Sequence, residues 1–240
     1  VNRGEGAVVI DDFNGFYDPA IKRGNIKSVE GNPLFKLYEA DIRDKKKVFE
    51  VFGAERPDVV VHLAARAGVR PSIENPFLYE EVNCMGTLNL LDASKEARIK
   101  NFVFASSSSV YGINSKVPFS EDDPINCPIS PYASTKRAGE LLSYTYSHLY
   151  NLPVTALRFF TVYGERGRPD MAVAKFTRII HEAGVIPVFG DGAARRDFTY
   201  ISDIIKGVVA SIYKPFKYEI INLGGSKTST QVCARSSGVT

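Results

Sequence analysis

A chain of 240 residues with 44% hydrophobic side chains can bury one good core, or one large and one small domain. Its net charge of +3 is small and spread out, which argues against a nucleic-acid partner, and the longest basic run, Lys45-Lys46-Lys47, follows Asp41 and Asp44 as a solvated helix face would. Three widely spaced cysteines (Cys84, Cys127, Cys233) without a Cys-x-x-Cys spacing argue against a disulfide framework and a bound metal, and suit a reducing, cytoplasmic setting; no apolar run reaches the roughly 18 residues of a membrane span.

In chain order, residues 7–10 form a short apolar run ending in Asp11-Asp12, and a possible strand ends at Asp41-Ile42. Residues 45–52 have helical periodicity, and 58–65 read as a strand in which His62 is a packed core residue rather than a ligand. A helix over 79–97 precedes a strand over 101–105 and a serine run at 106–109. Pro131 suits a helix start, which predicts a helix over 132–149; a strand over 154–160 follows. Beyond Phe160 the texture shifts toward Gly, Pro and Arg, with a helix over 172–183. Continuous β-branched and aromatic runs suit strands covered on both faces, so the pattern predicts an α/β fold: a Rossmann-like, doubly wound parallel sheet with a smaller C-terminal substrate region. The expected division is 1–160, 161–230 and an atypical tail at 231–240.

In such a sheet, functional groups sit at the carboxyl ends of strands. Asp11 ends the first strand, where a carboxylate can accept hydrogen bonds from a ribose, although a turn or helix cap would place an Asp there as readily. Asp41-Ile42, the small Ala64-Ala65 and the serine run end three more. Tyr132 and Lys136, four apart, share one helix face. An ammonium beside a phenol favours the phenolate, and a nearby serine can orient the alcohol that such a tyrosine deprotonates while a hydride leaves for a nicotinamide. Roughly one such pair is expected by chance in this composition. Tyr213 and Lys217 are a second instance, read as a surface pair because Pro215 interrupts it.

Together these residues resemble the extended short-chain dehydrogenase/reductase family, specifically its nucleotide-sugar epimerases. The strings that carry the resemblance are Val-Val-Ile-Asp-Asp-Phe-Asn, Ala-Asp-Ile-Arg-Asp, His-Leu-Ala-Ala, Phe-Ala-Ser-Ser-Ser-Ser-Val-Tyr-Gly, Tyr-Ala-Ser-Thr-Lys, Leu-Arg-Phe-Phe-Thr-Val-Tyr-Gly, Gly-Arg-Pro-Asp-Met-Ala and Arg-Arg-Asp-Phe-Thr-Tyr-Ile. The stretch 167–172 is most similar to UDP-glucuronate 4-epimerases. The resemblance implies NAD as cofactor, a UDP-sugar as substrate and a homodimer that uses the helix bearing Tyr132, with 141–150 as a possible interface. It implies Tyr132 as general base, Lys136 as the group that lowers its pKa and holds the nicotinamide ribose, and Ser107 as the residue orienting the sugar hydroxyl. Asp11 would hold the adenosine ribose; Asp41, Ile42, Ala64, Ala65 and Asn83 would line the cofactor cleft, and Phe159 would abut the nicotinamide. Arg196, helped by Arg168, would meet the UDP diphosphate.

The family's first strand and Gly-x-x-Gly-x-x-Gly turn are expected ahead of Val1, so the chain reads as a fragment of a longer enzyme, in which an N-terminal membrane anchor of the kind some relatives carry would not show. Family members that eliminate water carry Asp-Glu where this chain has Ser108-Ser109. Two serines cannot supply that proton chemistry, but with Thr161 they can hold a sugar carboxylate. The expected reaction is therefore epimerisation at carbon 4 through a 4-keto sugar, with UDP-glucuronate as substrate. A UDP-glucose/UDP-galactose 4-epimerase and a non-catalytic Rossmann-type fragment are the alternatives.

Overall fold

The computed structural model describes residues 3–186, 195–225 and 228–230. The tail expected at 231–240, with Cys233, lies outside the described residues. Two parallel segments form the main sheet. In one, β1 (Ala7–Asp11) pairs with β2 (Phe35–Glu39); in the other, β3 (Val59–His62), β4 (Asn101–Ser107), β5 (Val154–Phe159) and β8 (Tyr218–Leu223) lie side by side in that order. Among the described residues no hydrogen-bonded ladder joins β1 to β3. A small second sheet sets β6 (Thr161–Tyr163) parallel to β7 (Arg195–Tyr200), which runs antiparallel to β9 (Thr228–Thr230).

Alternation along β4 explains the layers. Phe102 and Phe104 enter one cluster with Val48 and Phe52 of α2 (Lys45–Glu55), Leu90 and Leu91 of α5 (Gly86–Ala97), and Leu142 and Tyr146 of α6 (Pro131–Tyr150). Val103 and Leu157 face the opposite way, onto Ile204 and Val208 of α8 (Ile201–Tyr213). Helices therefore cover both faces, as the apolar strands imply. The α6 helix begins where its sequence dictates: Ser130 accepts a hydrogen bond from the Ala133 N–H at 3.1 Å, Pro131 takes the first turn, and Asn151 ends the helix in a left-handed conformation. Gly139 lets α6 lie close on β4, since a Cβ there would sit 2.3 Å from Cζ of Phe104.

Four expectations shift in detail. The strand over 58–65 stops at His62, and Leu63 to Gly68 become a loop leading into α3 (Val69–Glu74). The strand at 101–105 runs on through Ser106 and Ser107, both buried, so these serines end a strand rather than form a turn. The strand over 154–160 stops at Phe159. The helix over 79–97 is interrupted by a π-helical turn, Glu80–Met85, between α4 (Pro76–Tyr79) and α5. That extra residue rotates Asn83 into the interior, a device common at functional sites. His62 is packed as expected: it is buried, its Nε2 lies 2.8 Å from the Thr87 hydroxyl, and its ring tilts against Phe104. No helix among the described residues is long and apolar enough to cross a membrane.

Candidate active site

Ser107 and Tyr132 come together where β4 meets the start of α6. The Ser107 hydroxyl acts on the Tyr132 phenol in the direction that favours the phenolate. Removal of water from around the half-buried tyrosine outweighs it, and the phenol is held above its ordinary value near 10. Arg168 acts on the phenol in the lowering direction from farther away. Lys136 differs from expectation. Its ammonium is buried and donates to the Ala105 carbonyl at 2.7 Å, and burial brings its pKa down to about 8. The side chain that was expected to depress the phenol is thus turned toward the end of β4, where it clamps strand to helix. Ser108 and Ser109 follow in a 3-10 turn, Ser108–Tyr111, half-buried, with the Ser109 N–H donating to Ser107 Oγ at 3.2 Å.

A cleft of about 310 Å³ opens across the carboxyl ends of β1, β2 and β3. Asp11, Asp41, Ile42, Ala64 and Ala65 all line it, and so do Asn14, Tyr17 and Arg66. Asp11 accepts from the Phe13 N–H at 2.8 Å, so it serves the turn as well as facing the cleft. Arg43 holds the Asp41 carboxyl below the usual carboxylate range, its Nε and Nη2 both donating to Oδ2. Asn83 stands behind the wall: its Oδ1 accepts from the Arg66 N–H at 2.7 Å, and its Nδ2 donates to the Arg66 carbonyl and the Thr135 hydroxyl. The chemistry of this lining suits a dinucleotide, with carboxylates at the end where a ribose would lie and small side chains where backbone must be approached.

A second cavity, about 450 Å³, lies between β6, the 164–171 loop and α7 (Ala172–His181), with Thr161 in its wall. Arg168 borders both cavities, pairs with Asp170 at 2.7 Å and lies 5.3 Å over the Phe16 ring. Phe159 ends β5, paired in register with Ser107, and packs toward α8. Arg196 is not brought to either cavity. It is exposed on β7, with Nη1 donating to its neighbour's carbonyl at 2.9 Å. Tyr213 and Lys217 fall where a surface pair would: Tyr213 is the exposed last residue of α8 and Lys217 follows that helix.

Residues 14–224 match the profile of the NAD dependent epimerase/dehydratase family. The chain belongs to that family. A UDP-glucuronate 4-epimerase of Thermodesulfobacterium geofontis is 46% identical over 232 residues, which span 97% of this chain and 71% of that protein. The crystal structure of the Bacillus cereus UDP-glucuronic acid 4-epimerase, with UDP-glucuronic acid and NAD, superposes with a TM-score of 0.89 at 39% identity, over 96% of this chain and 73% of that one. The Thermotoga maritima UDP-glucose 4-epimerase, with UDP-glucose, gives 0.86 at 31% identity, over 96% and 72%.

Within this member of the epimerase/dehydratase family, sequence reasoning missed a buried polar network around Glu140, on the Tyr132 helix. One signal was available: Tyr132, Lys136 and Glu140 recur every four residues along one face of α6. Arg66 and Asn14, linked at 3.1 Å across the cleft, had no such signal, because 52 residues separate them.

Proposed function

We propose that this chain carries the catalytic part of a UDP-sugar 4-epimerase whose preferred substrate is UDP-glucuronate. The observation that carries the reading is Ser107 at the end of β4 acting on the Tyr132 phenol, together with a strand-end cleft bordered by Arg168, which also acts on that phenol. Ser107 would orient the hydroxyl on carbon 4, and Tyr132 would take its proton. Bound NAD would supply the acceptor for the hydride and its return. Once the 4-keto sugar has turned over and presents its opposite face to the returning hydride, Tyr132 gives the proton back to the carbon-4 oxygen, with no net redox change.

Ser108, Ser109 and Thr161 would hold the C6 carboxylate away from the alignment that releases carbon dioxide from a β-keto acid. Arg168, between the two cavities, is better placed for the diphosphate than Arg196. The substrate region would begin at Thr161, with β6 and α7, while α8 and β8 return to the main sheet. Leu141, Tyr144, Leu149 and Tyr150 point outward from α6 and would form the homodimer contact.

The test is interconversion of UDP-glucuronate and UDP-galacturonate, with UDP-glucose as the competing substrate. Tyr132→Phe should lower kcat about 10²- to 10⁴-fold, as loss of a general base does. A Tyr132→Phe protein within tenfold of the parent would sink the role of Tyr132. Faster turnover of UDP-glucose than of UDP-glucuronate would replace the substrate.

A further inference from the structure

Glu140 has no part in the proton transfers above, and none of its side chain reaches solvent. It stands about two helical turns beyond Tyr132, with Lys136 midway, on the same face of α6. Its Oε1 accepts from the Ser106 hydroxyl at 2.6 Å and from Nε of Arg158 at 2.9 Å. Its Oε2 accepts from Nη2 of Arg158 and from Nη1 of Arg137, each at 3.1 Å. Arg158 in turn donates through Nη1 to the Tyr111 hydroxyl at 3.0 Å, and Tyr111 donates to Asn222 at 2.7 Å. Ser106 and Arg158 face each other across β4 and β5, one step before the Ser107 and Phe159 pair. One carboxylate therefore joins three elements that each bear a site residue: Ser107 follows Ser106, Phe159 follows Arg158, and Tyr132 shares the helix of Glu140.

A buried ion pair adds little net stability over apolar side chains of equal volume. What a bidentate guanidinium–carboxylate contact does add is fixed direction. Chemistry at a serine–tyrosine pair depends on placement to a fraction of an ångström. We propose that Glu140 is a positioning residue, which through Ser106 and Arg158 sets how Ser107 is held against Tyr132. The proposal rests on the reading of Tyr132 as the proton-transfer group, but its test needs no turnover.

The phenol of Tyr132 can be titrated by fluorine NMR in the 240-residue chain labelled with 3-fluorotyrosine, its signal assigned by its loss in Tyr132→Phe. Around that phenol stand Ser107, Arg168 and the Tyr79 ring, edge-on at 6.3 Å; around Glu140 stand Ser106, Arg158 and Arg137. Ser107→Ala defines the midpoint with the serine hydroxyl gone, expected about half to one pH unit higher. Glu140→Gln should move the midpoint upward toward that value. Mere removal of a negative charge would move it downward, so direction separates positioning from distant electrostatics. Ser106→Ala changes no charge and should move it upward by a smaller amount, which keeps the test decisive if Glu140→Gln does not fold. A midpoint that stays put or falls in Glu140→Gln, or stays put in Ser106→Ala, overturns the proposal. Failure of the epimerase reading would show instead in the turnover of Tyr132→Phe.

Discussion

The β4–β5 half of the main sheet and its β1–β2 half carry similar apolar strands and bury them very differently. All seven residues of β4 are buried, whereas none in β1, β2 or α1 (Pro19–Ile26) is. Cover accounts for the difference. β4 and β5 lie between α5 and α6 on one side and α8 on the other, while β1 reaches the common core only through Ile10. The β1–β2 half is held instead by local turns at Asp11 and Asp12 and by exposed ion pairs such as Arg23 with Glu39. Ser107 and Tyr132 thus stand on the well-covered part of the sheet, and the β1–β2 side of the cleft stands on strands with no buried residue. Regions with few buried contacts open at the lowest free energy.

The largest effect that can break this contrast comes from the core. Phe104 is fully buried between α6 and the sheet, so Phe104→Ala should cost about 3–5 kcal/mol. Val9, half-buried in β1, should cost less than about 1 kcal/mol as Val9→Ala. Urea unfolding of the two variants measures both. Similar losses would show that the β1–β2 half is packed as firmly as the other.

How much of this was legible depended on how local the cause was. The α6 helix and its Tyr132–Lys136 face could be read because Ser130 and Pro131 start it within the sequence itself. The strand ends lining the cleft could be read because apolar runs stop there. The orientation of Lys136 could not, since its partner is a backbone carbonyl 31 residues away, created by the approach of α6 to β4. The Glu140–Arg158 pair spans 18 residues and two elements, and only the fold brings it together. β7 escaped notice for another reason. Its Arg-Arg-Asp start is too polar for a buried strand and fits only the small second sheet.

His62, at the end of β3, tests the boundary between the halves. Burial, aided by the nearby Lys136 charge, holds its imidazole down to about 3. Its ordinary value is near 6.5, so below that pH the unfolded chain takes up a proton that the folded chain refuses. Stability attributable to this group is complete above about pH 6.5 and falls by up to about 1.4 kcal/mol per unit as pH drops toward 3. In His62→Asn that slope should be missing, which unfolding midpoints at pH 6.5, 5.5 and 4.5 will reveal. Equal slopes in parent and variant would mean that water reaches the ring, and hence that the β3 edge is as open as β1.

The smallest effect is expected where α1 meets β2. Arg23 grips both oxygens of Glu39 at 2.8 and 2.9 Å, but both side chains are about half exposed. Solvent screens such a pair, and ordering two long side chains offsets most of the attraction, so a double-mutant cycle should give a coupling of about 0.2–1 kcal/mol. The guanidinium also lies 4.4 Å from the centre of the Phe13 ring, so Arg23→Ala alone would mix two contacts; the cycle with Glu39→Ala isolates the ion pair. Raising salt to about 0.5 M should shrink the coupling further, because the Debye length then falls to only a few ångströms. A coupling above about 2 kcal/mol that resisted salt would mean the pair is shielded from water. In that case α1 would be docked on β1–β2 as tightly as α6 is on β4, and the contrast between the halves would fail at its weakest joint.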